Sequence, residues 1–250
     1  MKTILITGIN GFLGSHVANQ LKNDYHVVGL EIMNQNLWRI ANENYPIYES
    51  NEAGIKQLFC DHKIDYIIHT ATLYGRTEIP KSVLLENNIL APLKLLEKGV
   101  AQGITAFINT DSFFNDNKLT YSYLSEYSLT KKHLLEWIQQ FQNRVKIINM
   151  KIFHMYGSDD SPTKFVTWVI NQLKANVAEI DLTLGEQKRD FIYIDDVVSA
   201  FKTVCDNMEK LPSNVSFDIG TGKSITLKEF IETARNLLNS TTQLNFGALP

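Results

Sequence analysis

The sequence predicts a doubly wound α/β fold built on a parallel sheet, and three observations support this prediction. Short apolar segments recur along the first part of the 250-residue chain, helical stretches separate them, and a glycine-rich turn joins the first segment to the first helix. Continuous apolar strands indicate a sheet covered on both faces, the usual environment of parallel strands connected by helices. A chain of this length forms one large domain, alone or with a smaller lobe.

The pattern of elements changes partway along the chain. The first part is expected to contain strands at 3–7, 26–31, 66–69, 106–109 and 146–152 and helices at 12–23, 53–61, 82–103 and 119–142. After residue 152 the expected elements are shorter, with helices at 165–175, 195–206 and 227–239 and strands at 181–183 and 216–220. Thr226 is placed to cap the last of these helices, with Glu229 at its third position.

Composition excludes several classes of partner. The formal net charge is -3 and the pI about 6.1. Because the basic residues are scattered apart from Lys131 and Lys132, neither nucleic acid nor an anionic membrane is an expected partner. No segment approaches the ~18 to 20 apolar residues that cross a bilayer. Cys60 and Cys205 lie far apart with no recognisable secretion signal before them, so we expect reduced thiols and a cytoplasmic location.

The turn after the first strand carries regularly spaced glycines in a G-x-x-G-x-x-G pattern. It follows a strand and opens a helix, the context in which such glycines bind the pyrophosphate of a dinucleotide. The first glycine makes the tight turn, the second lets the backbone approach the phosphates, and the third lets the helix pack on the sheet. The helix N-terminus supplies N–H donors. The candidate cofactor-binding residues of this turn are Gly8, Asn10, Gly11, Phe12, Leu13 and Gly14.

Glu31 bears on which dinucleotide is bound. It ends the second strand, 17 residues after Gly14, where a carboxylate accepts hydrogen bonds from the adenosine ribose hydroxyls. That carboxylate repels a 2′-phosphate, which favours NAD, whereas Arg39 could reach back to such a phosphate, so NADP stays open. We predict a Rossmann-type dinucleotide-binding domain over 1–152 and a smaller, partly interleaved substrate-binding lobe over 153–250, and we expect that residues beyond the C-terminus are missing.

Tyr127 and Lys131 form a Tyr-x-x-x-Lys pair. Residues four apart share one face of a helix, and a lysine ammonium beside a phenol lowers the tyrosine pKa from about 10 toward neutrality. The tyrosine can then exchange a proton with a substrate oxygen while hydride moves at the same carbon. We therefore expect both residues to be catalytic, with Lys131 also holding the nicotinamide ribose.

These motifs, in this order along the chain, resemble those of the extended short-chain dehydrogenases/reductases, the NAD-dependent epimerase/dehydratase family, over essentially the whole sequence. The resemblance implies that the hydroxyl of Thr110, at the end of the fourth strand, hydrogen-bonds the reacting oxygen. It also implies that Thr70 and Ala71, after the third strand, lie beside the cofactor. Asn88 matches the asparagine of the family's helix motif.

The resemblance also implies a nucleotide-sugar substrate. Arg189 stands in the segment that meets the phosphates of the sugar nucleotide, and its planar guanidinium suits bidentate phosphate binding. His154 stands where the family usually has an asparagine. It is a candidate for substrate contact, as are Asp111 and Ser112 directly after Thr110. No metal site is expected.

Three reactions of this family are candidates, namely 4,6-dehydration, 4-epimerisation and reduction of a C4 ketone. A 4,6-dehydratase uses an Asp and a Glu directly after the threonine, whereas Ser112 here takes the place of the Glu, which disfavours dehydration. The segments around Thr110, Tyr127 and His154 resemble the abequose/paratose synthase group, which reduces the C4 ketone of a CDP-4-keto-3,6-dideoxyhexose for O-antigen sugars and generally uses NADPH. The prediction is therefore NAD(P)H-dependent reduction of the C4 ketone of a 4-keto-6-deoxy sugar nucleotide, CDP- or dTDP-linked.

Two alternatives remain open. One is a nucleotide-sugar 4-epimerase with tightly bound NAD, which needs the same tyrosine, threonine and lysine. The other is a cofactor-sensing regulatory protein, against which the intact Tyr127 and Lys131 argue. The helices expected at 82–103 and 119–142 carry apolar residues on more than their sheet-facing side. Because such helices pair across a dimer as a four-helix bundle in this family, we expect a homodimer.

Overall fold

The computed structural model describes residues 1–32, 36–75, 78–115 and 124–249. They form two compact units, one made of Met1–Ile152 and Val198–Ile219 and the other of Phe153–Val197 and the chain from Gly220 onward. The first unit contains a seven-stranded sheet in which each neighbouring pair of strands is parallel. The predicted α/β fold with a parallel central sheet is confirmed.

The strands and helices of the described residues largely alternate along the chain. The strands are β1 (Thr3–Thr7), β2 (His26–Glu31), β3 (Ile47–Glu49), β4 (Tyr66–His69), β5 (Ala106–Ser112), β6 (Lys146–Ile152), β7 (His154–Tyr156), β8 (Glu179–Leu182), β9 (Lys188–Arg189), β10 (Phe191–Tyr193), β11 (Asn214–Ile219), β12 (Ile225–Thr226) and β13 (Gln243–Phe246). The helices are α1 (Phe12–Leu21), α2 (Glu52–Asp61), α3 (Lys81–Leu85), α4 (Ala91–Ala101), α5 (Ser125–Ile138), α6 (Phe165–Lys174), α7 (Ile194–Asp206) and α8 (Leu227–Leu237).

The strand order across the sheet is β11-β6-β5-β4-β1-β2-β3. The order reverses between β1 and β4, and doubly wound sheets bind ligands at such a point, beyond the carboxyl ends of the strands. Every residue of β4 and β5 is buried. Burial on both faces explains the continuous apolar segments by which the central strands were predicted.

Two strands of the sheet depart from the sequence prediction. β5 continues to Ser112 rather than ending at Asn109, because its last three residues pair in register with the end of β6. β3 was not expected, and its three residues pair with the end of β2 at the sheet edge. The polar end of β5 and the three residues of β3 contain no apolar run that would predict a strand. Pairing with the neighbouring strand makes both segments extended.

The helix predicted over 82–103 is continuous but irregular. Between α3 and α4, Glu86–Leu90 form a π-helical turn, and α4 ends at Ala101. Pro92 has no N–H and cannot donate to the carbonyl of Asn88, four residues earlier. The N–H of Ala91 donates instead to the carbonyl of Glu86, five residues back. Such π turns are rare and occur frequently at functional sites.

α5 is shorter than the helix predicted over 119–142. It begins at Ser125 and ends at Ile138, followed by a 3₁₀ turn at Gln139–Phe141. The first five residues of that prediction, 119–123, lie outside the described residues. Among the helices of the described ranges, none has the length and apolar character needed to cross a membrane.

The second unit has a small core of its own, made of Val169, Leu173, Ile180, Leu182 and Ile231. The Thr226 hydroxyl accepts the N–H of Glu229 at 3.0 Å, which confirms the predicted cap of α8. The parallel pair β7–β10 and the antiparallel pair β9–β12 were not expected. Strands of two or three residues are too short to show a hydrophobic period.

Candidate active site

The glycine turn is tight at the start of α1. Gly8 has a φ of 65°, which glycine adopts readily, and its carbonyl accepts the N–H of Gly11 at 2.8 Å. A Cβ on Gly14 would collide with the same carbonyl oxygen. Gly11 occupies the N-cap of α1 and has no side chain to cap it. The first N–H groups of the helix are therefore directed toward the place where an anion would bind.

The structure brings Thr70 and Ala71 against this turn. The Thr70 hydroxyl donates to the carbonyl of Thr7 at 2.7 Å, and the N–H of Ala71 donates to the Thr7 hydroxyl at 3.2 Å. Thr72 follows them, and its buried hydroxyl oxygen has no hydrogen-bond partner within the described part of the chain. A buried polar atom of this kind calls for a ligand or water to satisfy it. The turn and Thr72 together fit a dinucleotide.

Other residues predicted for the cofactor also lie at the turn. The side chains of Phe12 and Leu13 are buried, so these two residues offer their backbone rather than their side chains. The Glu31 carboxylate accepts the N–H of Asn10 at 2.9 Å and the N–H of Ile32 at 2.9 Å. The Arg39 guanidinium donates to the carbonyl of Asn10 at 3.2 Å. Glu31 and Arg39 therefore both bond to the same residue of the turn.

Thr110, Tyr127 and Lys131 come together at the carboxyl end of β5 and the start of α5, and all three are buried. The Lys131 ammonium donates to the carbonyl of Thr110 at 2.9 Å and lies 5.9 Å from the centre of the Tyr127 ring. The Thr110 hydroxyl donates to the carbonyl of His69 at 2.7 Å. The three residues predicted to be catalytic are thus neighbours, although 21 positions separate Thr110 from Lys131.

Burial governs the charges of this group. Lys131 is 2% exposed, and desolvation lowers its pKa to about 8, against the opposing effect of the Asp111 carboxylate. Burial, reinforced by the Lys131 cation, lowers the pKa of His69 to about 3. His69 is therefore neutral at pH 7, and Lys131 carries the positive charge of the group.

Asp111 is held by a buried chain of amides. Its carboxylate accepts the N–H of Ser112 at 2.7 Å and the side-chain amides of Asn115 at 2.6 Å and Asn149 at 3.0 Å. Asn149 in turn accepts the side-chain amide of Asn109 at 2.8 Å. The Asn amides orient the Asp111 carboxylate, which is 4% exposed.

Asn88 links three parts of the first unit. It lies in the π-helical turn and is 2% exposed. Its side chain accepts the N–H of Leu73 and donates to the carbonyl of the same residue, both at 2.8 Å, and also donates to the Thr130 hydroxyl at 3.1 Å. Tyr74, next to Leu73, stacks on Tyr127 with ring centres 5.0 Å apart. Tyr74 is not predicted from the sequence, because no local pattern marks a residue that meets its partner 53 positions away.

Two predicted substrate residues belong to the second unit. His154 begins β7, its N–H donates to the carbonyl of Asp190 at 3.0 Å, and burial lowers its side-chain pKa to about 4, with a further contribution from the Arg189 cation. Arg189 ends β9 and donates to the carbonyl of Lys188 at 2.8 Å. Asp190, which follows Arg189, accepts the N–H and the hydroxyl of Thr221 and so anchors the turn that contains Thr221.

A model of the NAD dependent epimerase/dehydratase family matches residues 4–220. Because this match includes most of the chain, the protein belongs to the NAD dependent epimerase/dehydratase family. The predictions of the family and of an NAD(P)-dependent enzyme are confirmed.

Two curated relatives named CDP-abequose synthase are similar over nearly the whole chain. The one from Salmonella typhimurium is 32% identical over 253 residues, which cover 98% of this chain and 85% of the relative. The one from Salmonella muenchen is 35% identical over 255 residues, with 99% and 85% covered. The predicted resemblance to the abequose synthase group is confirmed. A solved UDP-glucose 4-epimerase from Thermotoga maritima has a TM-score of 0.85 at 24% identity, covering 98% of this chain and 85% of its own, and shares the fold.

Proposed function

We propose that this enzyme reduces the C4 ketone of a 4-keto-6-deoxy sugar nucleotide, with a CDP-linked 4-keto-3,6-dideoxyhexose as the first candidate substrate. The observation that carries the proposal is the buried group of Thr110, Tyr127 and Lys131, in a chain with two relatives named CDP-abequose synthase at 32% and 35% identity. Those residues supply what a ketone reduction needs from the protein, namely an acid, a cation and an orienting hydroxyl.

The bound, reduced dinucleotide supplies the hydride, and the glycine turn, Thr70, Ala71 and Lys131 are the residues that would hold it. Tyr127 donates its phenolic proton to the ketone oxygen. The Lys131 cation stabilises the phenolate that remains. The Thr110 hydroxyl hydrogen rotates from the carbonyl of His69 to the same ketone oxygen and orients it. A C4 hydroxyl is the product.

Reduction is favoured over the two other reactions of the family. A 4-epimerase uses the same three side chains, but a relative named UDP-glucuronate 4-epimerase is only 26% identical to this chain, below the two abequose synthases. Dehydration across C5 and C6 requires a carboxylate base where this chain has Ser112, whose hydroxyl accepts the N–H of Phe114 at 3.3 Å. A serine hydroxyl is too weakly basic for that elimination.

The predicted substrate residues divide into two groups. We propose that Arg189 binds the diphosphate and that His154 and Ser112 contact the sugar. Asp111 acts differently, because protein donors already occupy its carboxylate, and its charge helps to keep Lys131 protonated.

NADH is the proposed reductant. Two backbone N–H groups hold the Glu31 carboxylate at the carboxyl end of β2, where its charge opposes a 2′-phosphate. Arg39 is engaged with the carbonyl of Asn10 and lies 4.3 Å above the Trp38 ring. A phosphate would therefore compete with contacts that this guanidinium already makes.

We also propose a homodimer formed through the helices that follow β4 and β5. Leu85 and Leu90 on one helix and Leu129 and Trp137 on the other are between 44% and 56% exposed. Several residues of these helices line an open groove of about 510 Å³, with Leu85 and Trp137 among them. Large apolar side chains grouped on one surface are typical of an interface.

The experiment that tests the reaction is a panel of CDP- and dTDP-linked 4-keto sugars, each supplied with NADH and with NADPH. We expect the reduced cofactor to be consumed with at least one CDP-linked sugar and the product to carry a new C4 hydroxyl by NMR. Purified protein that retains NAD and interconverts C4 epimers without consuming reductant would instead identify a 4-epimerase.

A further inference from the structure

We propose that Tyr74 is a positioning residue, which stacks on Tyr127 and holds its phenol in the orientation for proton transfer, and that Asn88 fixes the two tyrosines relative to each other. This inference rests on the proposed function, because it assigns Tyr74 a purpose only if Tyr127 is the proton donor. Tyr74 stands on the loop after β4 and Tyr127 on the first turn of α5, so different elements carry the two rings.

The stack has the geometry of a specific aromatic contact. The ring centres are 5.0 Å apart and the planes differ by 29°, within the range of offset stacking. A tyrosine side chain has two rotatable bonds between its backbone and its ring, so the ring of Tyr127 needs neighbours to hold its orientation. Lys131 approaches the Tyr127 ring centre only to 5.9 Å. A flat neighbour restricts the ring more closely than a flexible ammonium, because it limits rotation about both bonds.

Asn88 connects the backbones on both sides of the stack. On one side it pairs with both backbone groups of Leu73, which immediately precedes Tyr74. On the other side it donates to the Thr130 hydroxyl, which donates to the carbonyl of Tyr127 at 2.8 Å. A single buried amide thereby sets the distance between the loop and the helix.

The π-helical turn and a glycine complete the arrangement. The π turn at Glu86–Leu90 carries Asn88, and Pro92, which has no N–H to donate, follows directly after it in the first turn of α4. Gly75 follows Tyr74 with a φ of 66°, and a Cβ there would lie 3.1 Å from Leu84 on α3. The loop that carries Tyr74 therefore packs closely against the same helical segment that holds Asn88.

The test compares Tyr74→Leu with Tyr74→Phe in the full chain. Displacement of a reacting group by about 1 Å costs about a hundred-fold in rate, so we expect Tyr74→Leu to lower kcat by about ten- to a hundred-fold. KM for the sugar nucleotide and the dissociation constant of NADH should stay within about two-fold, because the lost interaction acts on the transition state. Tyr74→Phe keeps the ring and should recover most of the rate.

A second readout does not depend on turnover. In protein labelled with fluorotyrosine, Tyr127→Phe assigns the Tyr127 resonance. Tyr74→Leu should move that resonance because the ring current of the stacked neighbour is lost, and Tyr74→Phe should leave it nearly in place. Tyr48→Leu, on the edge strand β3, is the matched control for loss of a tyrosine ring and should leave both kcat and the Tyr127 resonance unchanged.

The outcomes separate the two proposals. Full activity of Tyr74→Leu, a Tyr74→Phe variant as slow as Tyr74→Leu, or an unmoved Tyr127 resonance would each overturn the positioning role. Asn88→Ala and Tyr74→Leu together form a double-mutant cycle. The effect of Asn88→Ala on kcat should be much smaller in the Tyr74→Leu background, and fully additive effects of the two substitutions on the activation free energy would overturn the role of Asn88. If the wild type reduces no sugar of the panel, the proposed function fails, and the fluorine resonance still decides whether the tyrosines are coupled.

Discussion

Replacing Lys131 by methionine should increase stability while it removes activity. Methionine keeps a flexible apolar chain in the buried position but has no ammonium. Desolvation lowers the pKa of Lys131 from 10.5 to about 8, so keeping the charge in the folded protein at pH 7 costs about 3 kcal/mol. Loss of the hydrogen bond to the carbonyl of Thr110 offsets about 1 to 2 kcal/mol of that gain. We expect the variant to be more stable by about 1 to 2 kcal/mol and its kcat to fall by at least about a hundred-fold.

The stability difference between the wild type and Lys131→Met should depend on pH. Lys131 stays protonated in the unfolded chain up to about pH 10.5, whereas in the folded protein it loses its proton from about pH 8 upward. The free energy of unfolding of the wild type should therefore rise between these two pH values, and the advantage of Lys131→Met should shrink over the same interval.

Urea denaturation of both proteins without added dinucleotide, at pH 7 and midway between the two pKa values, measures this effect. Lys132→Met is the matched control, because Lys132 is exposed on the same helix. This control should alter neither the free energy of unfolding nor its change with pH. A variant that is less stable than the wild type by the same amount at each pH would refute the reasoning that Lys131 is a buried, desolvated cation.

Three other substitutions test the remaining proposals. Tyr127→Phe keeps the ring but removes the proton, so kcat should fall by at least about a hundred-fold while the melting temperature changes little; near-normal turnover would exclude Tyr127 as the acid. Glu31→Gln removes the charge that opposes a 2′-phosphate and should raise kcat/KM with NADPH about ten-fold relative to kcat/KM with NADH. Glu49→Gln, on the adjacent strand, should leave this ratio unchanged. The same ratio of kcat/KM values in both variants would contradict the role of Glu31. Trp137→Lys should halve the mass measured by light scattering and Leu237→Lys on α8 should not, and a monomeric wild type would remove the dimer altogether.

Local patterns in the sequence located much of the candidate site. The glycine turn was identified by its spacing after a strand, because the tight φ of Gly8 and the close approach of Gly14 leave no room for other residues. Tyr127 and Lys131 were identified because a four-residue spacing places two side chains on one face of a helix. Thr110 required the family resemblance, since a lone threonine at a strand end has no pattern of its own.

The sequence by itself determined the order of strands and helices along most of the first unit, because apolar runs and glycine spacing are properties of adjacent residues. Only the tertiary structure decided the long-range contacts around the candidate catalytic residues. The amide of Asn109 meets Asn149 40 positions away, and the polar end of β5 forms a strand because β6 lies beside it. The stack of Tyr74 on Tyr127 likewise depends on an asparagine in a distorted helix. Long-range contacts of this kind arise from packing and leave no periodic trace in the sequence.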